Sequence, residues 1–292
     1  MIAFVTSLRA RALAKDWDHN VMMLERAVQS ALAQVHGESC AVVACHEIPK
    51  TPLAGESRVH FLPVNFSPPA RIFADMCVDK ILKLSVGAQW ARARGYQYVA
   101  FTDADDLVSN RIVEFVANHS DENGWYCPAV MFYAYGKRFT RFVAYRGSFA
   151  GPCVIVRTNL LKFEAPPFSG SWTKLAIADG ESNYLELLGR HGQMVNTLAA
   201  VGHGHYREYM TNEGYPLKPL PFPPILMINH ADSISLGEGS YQPVGLQTVL
   251  RRLVRWLPSV RFLTPSVRNE FLIPPNNEIP NRYRRQGSIF WR

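Results

Sequence analysis

The chain has 292 residues, 48% of them hydrophobic and 19% charged, a balance that excludes intrinsic disorder and a collagen-like repeat and suits a domain large enough to bury its own core. Its net charge of +7 sits at one end, because residues 251–292 hold nine arginines against only Glu270 and Glu278. The neutral body argues against nucleic acid as a partner, since that would need basic residues spread over the surface.

Five cysteines (Cys40, Cys45, Cys77, Cys127 and Cys153), odd in number and without a CxxC pair, predict buried free thiols rather than a disulfide framework or a zinc site. The opening residues turn polar at Thr6, which predicts no secretion signal, and no apolar run approaches a membrane span. The expected location is cytoplasmic.

In chain order, short β-rich runs alternate with longer helical patterns, as in a mostly parallel α/β sheet. Strands are expected over Ile2–Thr6, Cys40–Cys45, Val59–Val64 and Tyr98–Thr102, with helices over Asn20–Gln34 and Ala74–Arg94. Beyond residue 124 the alternating aromatic runs Trp125–Tyr135, Phe139–Tyr145 and Pro152–Val156 predict a mixed or antiparallel extension. A helix is expected over Ser182–Arg190, an extended connector over Pro216–Pro224, and a short strand over Ile225–Ile228. Gly245–Leu257 then places apolar residues on one helical face and Arg251, Arg252 and Arg255 on the other, which suits packing on the body or peripheral contact with an anionic membrane.

The sharpest feature is the run Tyr98-Val99-Ala100-Phe101-Thr102-Asp103-Ala104-Asp105-Asp106. A buried strand delivers three carboxylates within four residues, at the strand end where open α/β sheets bind ligands. Like charges so close repel unless a cation lies among them, and hard divalent ions take carboxylate oxygens together with substrate phosphates. The plainer reading is that Asp106 or Ser109 caps a helix over Ile112–Val116, which accounts for one acid but not for three.

This run, preceded by a helix bearing Lys80 and Lys83, resembles the metal-binding motif of GT-A-fold glycosyltransferases, closest to the family 2-like bacterial enzymes. The resemblance implies a GT-A-like (Rossmann-like), mostly parallel sheet flanked by helices over residues 1–244. Residues 1–123 would be the nucleotide-binding half and 124–244 a mixed-strand acceptor half, followed by a basic helical and extended tail over 245–292. It implies that Asp103 meets the nucleotide and, with Asp105, the metal, Mn²⁺ or Mg²⁺. His230, after the strand at 225–228, would be a further ligand. Thr6, Ser7 and Arg9 at the end of the first strand, and Glu47 at the end of the second, would lie near the nucleotide. Lys80 and Lys83, three apart on one helix face, would face the diphosphate. Asp179 or Glu181 would be the base of an inverting enzyme, although Gly180 stands where the family pattern has a second acid. Helix-start acids also have a purely structural use. His203 and His205, alternating on an extended segment, are weaker candidates for the acceptor cleft or for the metal shell.

The activity so implied is metal-dependent transfer of a sugar from a nucleotide diphosphate donor, a UDP-sugar first, to a glycan or lipid-linked acceptor hydroxyl. Two other readings stand beside it. A nucleotidyltransferase acting on a sugar phosphate would want a glycine-rich loop after the first strand, and Thr6–Arg11 has no glycine. A non-catalytic sugar-nucleotide or glycan-binding module would keep the metal without the chemistry.

Overall fold

The computed structural model describes residues 1–71, 73–145, 153–163, 205–228 and 257–275. The expected helix at 182–190, most of 245–257, and the candidates Asp179, Glu181, His203 and His230 lie outside them.

The first half follows its hydrophobic pattern. Strands β1 (Ile2–Ser7), β2 (Ser39–Cys45), β3 (Val59–Pro63) and β4 (Tyr98–Phe101) are joined through helices α1 (Trp17–Leu32) and α2 (Phe73–Ala93). β1 pairs in parallel with β2 on one side and β4 on the other, and β2 pairs in parallel with β3. β1, β2 and β4 are buried along nearly their whole length, as continuous apolar runs with helices on both faces require. The side chain of Asp16 caps α1 by accepting from the His19 N–H at 2.9 Å. Val21, Leu24, Ala27, Val28 and Ala31 turn its apolar stripe to the core. α2 lies close to the sheet at Gly87, where a Cβ would stand 2.4 Å from Val5 Cγ1.

After β4 the chain enters a second sheet by way of β5 (Asp106–Val108) and helix α3 (Ile112–Ala117). Strands β6 (Gly124–Tyr126), β7 (Ala129–Tyr133), β8 (Phe139–Ala144) and β9 (Val154–Arg157) follow. Helix α4 (Tyr206–Asn212), β10 (Lys218–Pro219), β11 (Ile225–Ile228), β12 (Val260–Phe262) and α5 (Pro265–Glu270) complete the described elements. The mixed extension expected of the second half is thus divided between two sheets. One has seven strands in the order β10-β6-β9-β4-β1-β2-β3, and the other has five in the order β12-β8-β7-β11-β5. β9 runs antiparallel to β4 and carries the first sheet onward. β5 runs antiparallel to β11 and begins the second. The whole is an α/β fold of mixed sheets flanked by helices.

Part of the basic tail belongs to this body. β12 adds to β8, and beyond α5 the side chains of Phe271 and Ile273 are buried among Met23, Leu107, Tyr133 and Leu226. Glu270 holds the join by accepting from the Ser109 hydroxyl at 2.7 Å and, through its carbonyl, from the Asn110 N–H at 3.0 Å. Among the described residues, no helix is long and apolar enough to cross a membrane.

Candidate active site at the ends of the parallel strands

β4 ends at Phe101, and Thr102 keeps the turn against the sheet by donating its N–H to the Val5 carbonyl at 3.0 Å. The chain then turns through Asp103, Ala104 and Asp105, closed by an Asp106 N–H to Asp103 carbonyl contact of 3.4 Å. None of the three aspartates caps α3, whose first residues are preceded by Arg111 with no side-chain cap. Capping therefore does not explain the acids.

The three carboxylates sit in different surroundings. Asp103, 24% exposed, is ion-paired through Oδ1 with the ammonium of Lys80, itself 34% exposed. Burial alone would lower the Lys80 pKa, but the contact with Asp103, helped by the charge of Asp105, more than offsets it and the net shift is upward. Lys80 is therefore a firmly held cation. Asp105 stands half-buried between its neighbours. Asp106 points inward at 3% exposure, and its Oδ2 has no hydrogen-bond partner among the described residues. Burial first, then the charges of Asp105 and Asp103, push its carboxyl well above the ordinary range, against a smaller opposing pull from Lys80 and an Ile228 backbone hydrogen bond.

Beneath the turn are groups that no sequence motif pointed to. Cys153 and Tyr206 are buried close enough to feel the acids: after burial, Cys127, Asp103 and Asp106 raise the Cys153 thiol, and Asp103 and Cys153 raise the Tyr206 hydroxyl. Only the folded chain brings them there: β9, which Cys153 precedes, pairs alongside β4, and α4 packs its Tyr206 into the core with Phe101 and Val154.

One face of α2 fastens three strand ends. Lys80 holds Asp103 after β4. Lys83, fully buried, donates to the Leu8 carbonyl after β1 at 2.8 Å and to Asp79 Oδ2 at 2.7 Å. Asp79 Oδ1 in turn lies 2.7 Å from His46 Nε2 after β2. The spacing of the two lysines does bring both toward the strand ends, but Lys83 turns into the core instead of toward open space. Burial pulls its ammonium pKa down, and the nearby Asp79 does not fully restore it.

Four other sequence candidates, Thr6, Ser7, Arg9 and Glu47, stand at the ends of β1 and β2. Thr6 is buried and its Oγ1 lacks a partner among the described residues, while Ser7 and Arg9 are half-buried just beyond it. Glu47 accepts the Arg11 N–H at 2.5 Å and so ties the short helical turn Arg11–Leu13 to the end of β2. Register brings the ends of β1, β2 and β4 side by side, with Val5 opposite both Val42 and Phe101. β11 finishes beside the acidic turn, with Met227 opposite Asp106.

The carboxylates of Asp103 and Asp105 are oxygen donors of the kind that hard divalent ions take. Among the described residues no group of three or more potential ligands is arranged to hold a metal. One or two carboxylates plus substrate phosphates, however, are the usual complement for Mg²⁺. The unpartnered buried oxygen of Asp106 shows a turn whose polar groups are not all satisfied internally.

No protein-family model and no curated protein matches the chain. Among solved structures it is similar to S. aureus TarS (residues 1–349), at 11% identity and a TM-score of 0.42, covering 78% of this chain but 60% of that one. It is also similar to a putative nucleotide-diphospho-sugar transferase from Desulfovibrio desulfuricans G20, at 11% identity, a TM-score of 0.35 and coverage of 88% and 96%. A third is 4-diphosphocytidyl-2C-methyl-D-erythritol synthase from Anaerococcus prevotii DSM 20548, at 11% identity, a TM-score of 0.36 and the same coverage.

Proposed function

We propose that the chain transfers a sugar from a nucleoside diphosphate donor, a UDP-sugar first, to the hydroxyl of a glycan or lipid-linked acceptor. The observation that carries this reading is the acidic turn itself: Asp103, Asp105 and Asp106 at the carboxyl end of a central parallel strand, with a held lysine beside them.

Asp105 and Asp103 would hold Mn²⁺ or Mg²⁺, with His230 as a further ligand. When bound, the ion supplies Lewis-acid stabilisation of the departing diphosphate. The protein's own groups do the rest. Thr6, Ser7, Arg9 and Glu47 border the nucleotide. Lys80, its partner Asp103 engaged elsewhere, faces the charge that grows on the leaving group. Lys83 holds the β1 loop at the Leu8 carbonyl. Asp179 or Glu181 takes the proton from the acceptor hydroxyl if the reaction inverts.

Thermal unfolding with a panel of nucleoside diphosphates, each with Mn²⁺ and with chelator, tests this. The expected result is a metal-dependent stabilisation by one of them, on the order of 2.7 kcal/mol at a hundredfold excess over Kd, lost in Asp105→Asn. A flat response to every nucleotide would sink the reading. Release of pyrophosphate instead of a nucleoside diphosphate would reassign the chain to nucleotidyl transfer.

A further inference from the structure

The five-stranded sheet ends in an edge that the proposed reaction does not use. Among the described residues β12 pairs with β8 alone, in a register that sets Phe262 opposite Phe139. The two rings meet at 5.0 Å and are 72% and 41% exposed, Phe262 being the most exposed large apolar side chain among the described residues. Side chains of this kind normally turn inward, and a pair in register on an open edge invites a partner.

The charge along the two strands and the turn into β8 is of one sign. Lys137 and Arg138, in the turn leading into β8, are exposed, and so is Arg261 on β12. The sequence has no acid between Glu122 and Glu164 or between Glu238 and Glu270, and β8 and β12 lie inside those two stretches.

We propose that the β8–β12 edge docks on an anionic lipid bilayer. Phe139 and Phe262 enter the boundary between headgroups and acyl chains, and Lys137, Arg138 and Arg261 meet lipid phosphates. A cationic patch alone would suit any polyanion, and exposed phenylalanines alone any apolar partner. An anionic interface is the surface that answers both at once. The rings lean on each other at 45° as a single knob, which offers no pair of parallel faces for bases to stack between. The inference stands apart from the proposed sugar transfer, since none of these residues borders the acidic turn.

Co-sedimentation of the full chain with vesicles tests it, using phosphatidylcholine alone and phosphatidylcholine mixed with phosphatidylglycerol. The expected result is binding to the mixed vesicles only, weakening as salt rises. Phe139→Ser with Phe262→Ser should lower that binding about tenfold, and Lys137→Glu, Arg138→Glu and Arg261→Glu together by at least as much. All five side chains are exposed, so unchanged thermal melting confirms that each variant is folded. Equal binding to both vesicle types, or to neither, overturns the proposal, as does full binding by both folded variants. Tighter binding to a single-stranded RNA oligonucleotide than to the mixed vesicles, lost in the same variants, also overturns it.

Discussion

Lys80 and Lys83 are three residues apart on one helix and have opposite fates. Lys83 loses all its hydration, a cost of several kcal/mol that the Leu8 carbonyl and Asp79 must offset. It is a fastening of the fold. The Lys80–Asp103 pair is partly solvated, and such a pair adds only about 0–1 kcal/mol to stability. Lys80→Met is therefore expected to leave the melting temperature nearly unchanged while lowering turnover on the donor by about 10²–10³-fold. A melting temperature that fell with turnover in proportion would make Lys80 structural instead. The cysteines allow a sharper test of burial. The Cys45 thiol is pushed up to about 11 and the Cys77 thiol up to about 12, by burial first, against a smaller pull from Lys83 and Lys80 respectively. A raised thiol pKa means less thiolate at a given pH, so at pH 8 the reactive fraction of Cys45 is on the order of 10⁻³. Labelling of the native protein with a thiol reagent at pH 8 should be at least ~10²-fold slower than in denaturant, and should speed up as pH rises. Cys45 is buried whereas Cys77, against the expectation for all five thiols, is half-buried, so rapid native labelling of Cys45 would show that its thiol is not buried.

At the scale of elements, α2 must approach the sheet closely, and Gly87 is what permits it. Gly87→Ala would gain about 1 kcal/mol of helix propensity but bring a methyl group against the stiff Val5 side chain. Overpacking of that kind costs about 1–3 kcal/mol, so the expected balance is a net loss, read as a lower urea midpoint. A higher midpoint would mean that the helix can move outward freely. Elements with a long uniform pattern were legible from residues alone. β1, β2, β4, α1 and α2 begin and end within a few residues of their expected positions because each buries a continuous run or stripe. β5 was not legible. It has three residues, starts on an aspartate, and exists only because β11 pairs with it. The assignment of β6 and β9 to one sheet and β7 and β8 to another was equally hidden, since alternation marks a strand without naming its neighbours. The acidic turn was visible as a motif. The burial of Lys83, the Asp79–His46 link and the floor of Cys153 and Tyr206 were not, because each depends on contacts between residues far apart in sequence.

At the scale of the whole molecule, the C-terminal region is body as well as tail. Removing residues 258–292 would strip Phe271 and Ile273, 1% and 5% exposed, from the core beside Tyr133 and Leu226. At about 1.5–3 kcal/mol for each such side chain, the shortened protein is expected to unfold at a clearly lower urea concentration. An unchanged midpoint would mean that these two side chains contribute nothing to the fold. The point changes and not a truncation are thus the proper test of the β8–β12 edge. The face of α2 that carries Asp79, Lys80 and Lys83 has a consequence at this scale too. Their attachments to His46, Asp103 and Leu8 leave the helix within a 100° arc and about 6 Å of its rise. The spacing of the three strand ends is accordingly tied to helical pitch: three separate loops are fastened to one rigid rod, and none can drift from the others without first letting go of it.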